Sequence, residues 1–273
     1  MHGIVIDVDP VALTVGPVAI RWYGLAVVAA VAVGFAVGLR EAGRRGLDTD
    51  KVFALGLWAL GAAIVGARLA HVIDHFGYYA ANPAAVFALR EGGLSIYGGL
   101  VGGLVAAALY ARAASLRLAL ALDAAAPALA LAQAVGRLGC VVNGDAQGAP
   151  ADLPWAFVYT HPNAMVAELG VPGHPYPVYE MIWNLAVFAV LWRLRRRAQA
   201  PGTLFLLYAS LYSVGRFFLT FVRQEGVVLW GLQQAQVIAL LALLVALPAM
   251  LYLGRRPGGD FGRDVGVPRR QRA

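Results

Sequence analysis

The sequence predicts an all-α polytopic membrane protein of seven transmembrane helices, and three observations carry that prediction. Sixty per cent of the 273 residues are hydrophobic and 14% are charged, a composition that excludes an ordinary soluble domain. The stretches 22–39, 92–111, 198–215 and 226–254 hold no charged side chain, and at about 1.5 Å per helical residue each approaches or exceeds the ~30 Å of a bilayer's hydrocarbon. Lysine and arginine fall mostly on one side of the apolar segments, the asymmetry that orients a membrane protein.

The helices are expected at 18–40, 52–73, 93–112, 118–138, 177–194, 202–222 and 231–253. The first runs apolar from Trp22 to Arg40, and the second carries Arg68 and His71 toward its end in GARLAHVIDH. The third opens on EGGLSIYGGLVGG, where Gly98/Gly102 and Gly99/Gly103 have the small-xxx-small spacing of closely packed membrane helices. Asp123 and Arg137 interrupt the fourth, and only 181–192 of the fifth is free of charge. The sixth carries Arg216, and the seventh is uninterrupted.

Sixteen of the 22 Lys and Arg residues follow the first, third, fifth and seventh helices, whereas Arg21, Arg90 and Arg223 lie opposite. The N-terminus is therefore expected outside and the C-terminus in the cytoplasm. Residues 1–254 are expected to form one membrane domain, with an outer cap loop at about 139–176 that holds Trp155, Tyr159, His161 and Glu168. The Gly- and Pro-rich tail, 255–273, is expected to be disordered and held near anionic headgroups. The net charge of +7 is explained by this topology, so nucleic acid is not an expected partner. The N-terminal MHGIVIDVDP lacks the basic start of a cleaved signal peptide. A single cysteine, Cys140, excludes an intrachain disulfide and a multi-cysteine metal site. No metal or cofactor is expected. No internal repeat is visible, which disfavours a transporter built from inverted halves.

Chemistry concentrates at arginines placed in or beside apolar segments. An arginine stays protonated and costs at least about 2.5 kcal/mol inside hydrocarbon, so Arg68, Arg137 and Arg216 each need an anion, a wet cavity or the membrane surface. Together they suggest a pocket for an anion such as a lipid phosphate, whose oxygens suit the guanidinium fork. Arg137 lies in GRLGCVVNGDAQG. There Asn143 can donate or accept, Asp145 can orient an arginine or take a proton, and Gly136, Gly139, Gly144 and Gly148 allow sharp turns or close ligand approach. The competing reading is a snorkelling arginine at a helix end. Tyr212, Arg216 and Arg223 share spacing for one helix face, although Arg223 also suits an interfacial anchor. Arg68 and His71 share a face that Asp74 or His75 can join, with a structural Arg–Asp pair as the alternative. Glu180, near the start of the fifth helix, suits the helix dipole and can pair with an arginine. Tyr23 and Trp22 fit an aromatic belt. The glycines beside Tyr97 fit close packing or a substrate's backbone.

At these residues the chain resembles the bacterial prolipoprotein diacylglyceryl transferase family. GRLGCVVNGDAQG is similar to that family's G-R-x-G-N-F-x-N-x-E-x-x-G. RWYGL, GGLSIYGGL, LPW, HPYPVYE and YSVGRF…FVRQ follow in the family's order, so the likeness spans about residues 18–226. The resemblance implies transfer of the diacylglyceryl group of phosphatidylglycerol to the cysteine thiol of a prolipoprotein signal peptide, with release of glycerol phosphate, at a bacterial cytoplasmic membrane. It implies that Arg137 and Arg216 hold the phosphate. Tyr23, Asn143, Gly148 and Tyr212 match functional positions, Tyr97 and Asp145 occupy catalytic ones, and Gly98, Gly99 and Glu180 fall among substrate contacts. The chain departs from the pattern at four places. Tyr97 stands for a histidine, Cys140 for an asparagine, Asp145 for a glutamate and Thr220 for a glutamate. A tyrosine is a poor base near neutral pH, so the departures motivate one rival, a catalytically impaired binder of anionic lipid or lipoprotein precursors; the intramembrane arginines alone motivate a second, a small-anion transporter.

Overall fold

The computed structural model describes residues 3–16, 18–88, 92–197, 200–223 and 226–255. Arg90 and the basic tail from residue 256 onward lie outside the described residues. The chain folds as strands β1 (Ile4–Ile6), β2 (Val11–Val15) and β3 (Val18–Arg21), then α1 (Trp22–Arg44), α2 (Thr49–Asp74) and the short α3 (Phe76–Ala81). After a 3-10 turn at Pro83–Phe87 come α4 (Ile96–Ala113), α5 (Leu118–Asn143), β4 (Phe157–Tyr159), α6 (Tyr176–Leu194) and α7 (Thr203–Leu219). A 3-10 turn at Thr220–Val222, β5 (Val227–Leu229), β6 (Leu232–Gln233) and α8 (Gln234–Arg255) complete it.

Among the described residues six helices are long and apolar enough to cross a membrane: α1, α2, α4, α5, α7 with its 3-10 extension, and α8. The protein is polytopic. The expected fifth helix exists as α6, 19 residues long, but Glu180, Asn184 and Arg193 interrupt its apolar run and it is not among the six. The contacts divide the chain into two compact units, residues 39–121 and residues 1–38 with 122–273.

In the first of these, α2 and α4 pack backbone to backbone. A Cβ on Gly102 would sit 2.5 Å from the Ala62 carbonyl oxygen, and Gly98 lies against the Gly66 carbonyl. The small-residue spacing of α4 is therefore filled by a helix. Arg68 corrects an expectation. Its guanidinium does not pair with Asp74 but donates to the carbonyls of Ala85, Val86, Ala88, Gly92 and Gly93, and with His71 and Tyr79 it lines a cavity of about 240 Å³. All five N–H donors of a guanidinium are thereby spent on the segment between α3 and α4. Carbonyl dipoles, rather than a carboxylate, solvate this buried cation.

In the other unit, the first helix starts later than expected. Residues 18–21 form β3 and pair antiparallel with β2 around Gly16, because the β-branched, alternating VALTV and VAI segments suit a hairpin. β1 pairs in parallel with β4, Ile4 opposite Phe157 and Ile6 opposite Tyr159, so the N-terminal segment and the cap loop lie on one side. The cap begins later too. α5 does not stop near Arg137 but runs to Asn143. The Tyr159 hydroxyl donates to the Val141 carbonyl at 2.7 Å. Burial, with the Asp145 charge nearby, pushes that phenol above its usual range, so it stays a donor at neutral pH.

Asp123 does not merely interrupt a helix. It is 2% exposed and accepts from the Gly202 and Phe205 N–H groups, each at 2.9 Å. The N-cap of α7, Gly202, has no side chain to cap it, so α5 supplies the acceptor for the orphan donors of α7. Below this contact Ala126 and Ala130 of α5, Val187 and Leu191 of α6, and Leu204 and Tyr208 of α7 form the apolar core. Trp183 packs its indole against Gly215 and donates to the Leu211 carbonyl at 3.0 Å. The Asp123 cap and this core fix α5, α6 and α7 against one another at the end opposite the one where Arg137, Glu180 and Arg216 gather, and Trp183 continues the packing toward that end.

Candidate active site

Two of the three arginines meet on one carboxylate. Arg137, from the last turns of α5, places Nη2 2.5 Å from Glu180 Oε2. Arg216, from the last turn of α7, places Nη1 2.8 Å from Glu180 Oε1. The same Arg216 nitrogen donates to the Tyr176 hydroxyl at 2.7 Å. Glu180 is 4% exposed and comes from the first turns of α6, one helical turn after Tyr176, so both side chains share a face. The Arg137 contact with Oε2 is an ion pair outside hydrogen-bonding geometry, whereas the Arg216 contact is a hydrogen bond. Two guanidinium groups converge on this one carboxylate, and their donor forks suit the oxygens of a phosphodiester.

The rest of the signature extends this cluster along the end of α5. Arg137 Nη1 lies 3.7 Å from Cys140 Sγ, a weak contact where an amide oxygen would accept better. Asn143 donates through Nδ2 to Asp145 Oδ1 at 2.9 Å, and its own Oδ1 is buried without a hydrogen-bond partner. The signature glycines do different work from that expected. Gly136 and Gly139 remain helical, and Gly139 leaves room for Tyr23, since an added Cβ would lie 2.9 Å from the tyrosine Cα. Gly144 alone among them takes a left-handed conformation, φ +82°, and turns the chain out of α5. Gly148 is a seam: its N–H donates to the His174 carbonyl at 2.9 Å, and a Cβ there would meet the Val222 carbonyl at 2.6 Å. Tyr212 stacks on Tyr208, ring centroids 6.1 Å apart, one turn before Arg216.

The expected Tyr212–Arg216–Arg223 ladder does not form along one helix. α7 ends before Arg223, whose backbone is extended and whose guanidinium lies 5.2 Å from the Tyr176 ring centroid. Arg223, Asp145, Gly148 and Glu168 instead line a cavity of about 560 Å³ in the cap. Thr220 does not leave Arg216 without a carboxylate partner. Glu180 fills that role, and the Thr220 hydroxyl donates back to the Arg216 carbonyl at 2.5 Å. Tyr97, Gly98, Gly99 and Arg68 belong to the 39–121 unit, where Gly98 and Gly99 face α2. The sequence reading passed over Tyr176, although its spacing from Glu180 carries the signal. It also passed over Gln147, which ties the cap by donating to the Phe157 and Val171 carbonyls.

Comparison with known proteins agrees with this arrangement of motifs. The sequence model of the family described as prolipoprotein diacylglyceryl transferase matches residues 10–252. A phosphatidylglycerol–prolipoprotein diacylglyceryl transferase of Clostridioides difficile (strain 630) is 33% identical over 94% of this chain and all of its own length. The enzyme of that name from Thermosynechococcus vestitus is 38% identical over 85% of this chain and 87% of its own. One from Nostoc sp. is 36% identical over 94% and 95%. With the matched region taking in every strand and helix that builds the arginine cluster, the chain belongs to the prolipoprotein diacylglyceryl transferase family.

Proposed function

We propose that this protein transfers the diacylglyceryl group of phosphatidylglycerol to the thiol of a prolipoprotein cysteine. The observation that carries the reading is the convergence of Arg137 and Arg216 on Glu180, a preformed site for one phosphate anion. The acceptor's sulfur attacks the glyceryl carbon that bears the phosphate. A C–S bond forms, the C–O bond breaks, and its electron pair leaves on the phosphate oxygen. The two guanidinium groups stabilise that charge, and the thiol proton balances the glycerol phosphate released. Glu180 and Tyr176 hold Arg216 in position. Tyr23, Asn143, Gly148 and Tyr212 frame the donor lipid, and Asp145, oriented by Asn143, is the carboxylate we assign to proton transfer. Tyr97 is a further catalytic candidate, and Gly98 and Gly99 are substrate-contact candidates, carried by the family motif. The acceptor segment is a lipobox signal peptide.

We assign the protein to the bacterial cytoplasmic membrane, with α6 as a seventh span, the N-terminus outside and the C-terminus in the cytoplasm. Sixteen cationic residues against three support that orientation, and the pairing of β1 with β4 supports a common side for the N-terminal segment and the cap. Purified protein in phosphatidylglycerol vesicles, given a lipobox peptide, is expected to yield a thioether-linked diacylglyceryl peptide and glycerol phosphate. Lipid binding without either product would instead fit an impaired binder.

A further inference from the structure

The hairpin between α7 and α8 has a tip whose chemistry is wrong for water. β5 and β6 are joined by two residues, Trp230 and Gly231, with φ of +48° and +79°. Two left-handed residues in a two-residue loop favour Asn-Gly or Asp-Gly, because Asn, Asp and Gly tolerate that region. A bulky aromatic there is an outlier. Trp230 is also 90% exposed, and Val227, Val228 and Leu229 before it are all exposed. An apolar run ending on a strained, exposed tryptophan gains nothing from water.

The hairpin is nevertheless held firmly at its base. Gln233 donates through Nε2 to the Thr220 and Arg223 carbonyls at 3.2 and 2.9 Å, and its N–H donates to Gln236 Oε1 at 3.0 Å. Gln236, 1% exposed, donates in turn to the Phe217 carbonyl at 3.3 Å. Both strands pack against α8. Position identifies what covers the tip. The hairpin joins the ends of two membrane-spanning helices, within a few residues of Val222 and Gln234, so its apolar tip continues their lipid-facing surface at the boundary of hydrocarbon and headgroups. Tryptophan favours that layer, with its ring in the apolar region and its indole N–H toward the polar one.

We infer that the Val227–Leu229 strand and Trp230 form a foot that inserts into the phospholipid headgroup–acyl boundary. The foot is fixed through Gln236 to the last turn of α7 and through Gln233 to the 3-10 turn and Arg223 that follow it. This seating does not depend on the transferase reading. The test uses the full chain in vesicles of phosphatidylglycerol and phosphatidylethanolamine, with no other protein present. The emission of Trp230 is taken as the difference between the wild-type chain and Trp230→Phe. Bromine on the phosphatidylethanolamine acyl chains is expected to quench most of that difference, and aqueous iodide to leave it nearly unchanged. Quenching by iodide with little effect of bromine would overturn the inference, and would point to solvent or to a protein partner absent from the vesicles. Should Trp230→Phe fail to fold, the same difference is read against Trp230→Asn, which supplies the residue the turn itself prefers.

Discussion

Glu180 decides what the two arginines can do. Without it, two guanidinium groups would repel each other in a half-buried site. With it, both are oriented toward the position proposed for the substrate phosphate. Glu180→Ala removes one member of a buried ionic cluster, a change that typically costs about 3–5 kcal/mol. A lowered thermal midpoint and lost turnover are expected together, and an unchanged midpoint would show that the cluster does not support the fold. Arg137→Lys and Arg216→Lys keep the charge but lose the planar fork. Each is expected to lower turnover by roughly 10²-fold, the scale for removing a donor from a developing oxyanion, as read in the vesicle assay. Cys140 lies beside Arg137 without being a nucleophile in the proposed reaction, because the attacking thiol belongs to the peptide. Cys140→Asn is therefore expected to keep or raise turnover. Its loss, with a lipid adduct on Cys140 in the intact mass of the wild-type chain, would indicate a ping-pong transfer through the enzyme thiol.

At the scale of elements, the site depends on how three helices end. α5 carries Arg137 outward through Asn143, α6 begins with Tyr176 and Glu180, and α7 ends just after Arg216. Their register is set at the opposite end by Asp123 capping α7 and along their length by Trp183 on Gly215. Asp123→Ala is expected to lower stability by about 1–2 kcal/mol through the lost cap. Asp123→Asn, which keeps an acceptor oxygen, should lose less of the thermal midpoint. Gly215→Ala places a methyl where the indole lies, and overpacking of that kind costs about 1–3 kcal/mol. Its α6–α7 displacement should also move Glu180 relative to Arg216, so turnover is expected to fall in Gly215→Ala even below its melting range.

Over the whole molecule, a cap stitched from distant segments closes the end of the helices that bears the arginine cluster. β1 joins β4, Gly148 joins His174, and the Ala149 N–H donates to the Val222 carbonyl at 2.8 Å. Such a cap covers the proposed phosphate site at one end of these helices. Reporter fusions after Arg197 and after Arg256 are both expected to read cytoplasmic, and a periplasmic signal at either position would reverse the proposed orientation.

The sequence by itself determined the membrane class, the placement of the long helices and the family, because apolar length, charge distribution and ordered motifs are local or additive properties. It also singled out Arg137, Arg216 and Glu180, since a charge in an apolar segment demands a partner whatever the fold. Only the tertiary structure decided which partner each charge took. Arg68, for which the sequence left open an anion pocket or a structural pair with Asp74, is solvated by backbone carbonyls. Asp123 became a cap, and the carboxylate partner for Arg216 that Thr220 does not supply came from Glu180 on another helix. Residues 18–21 became a strand because a pairing partner lay just before them. In each case the outcome depended on groups distant in sequence or on competition between local pairing and helix formation, and the free energy of a buried charge is set by the groups that surround it after folding.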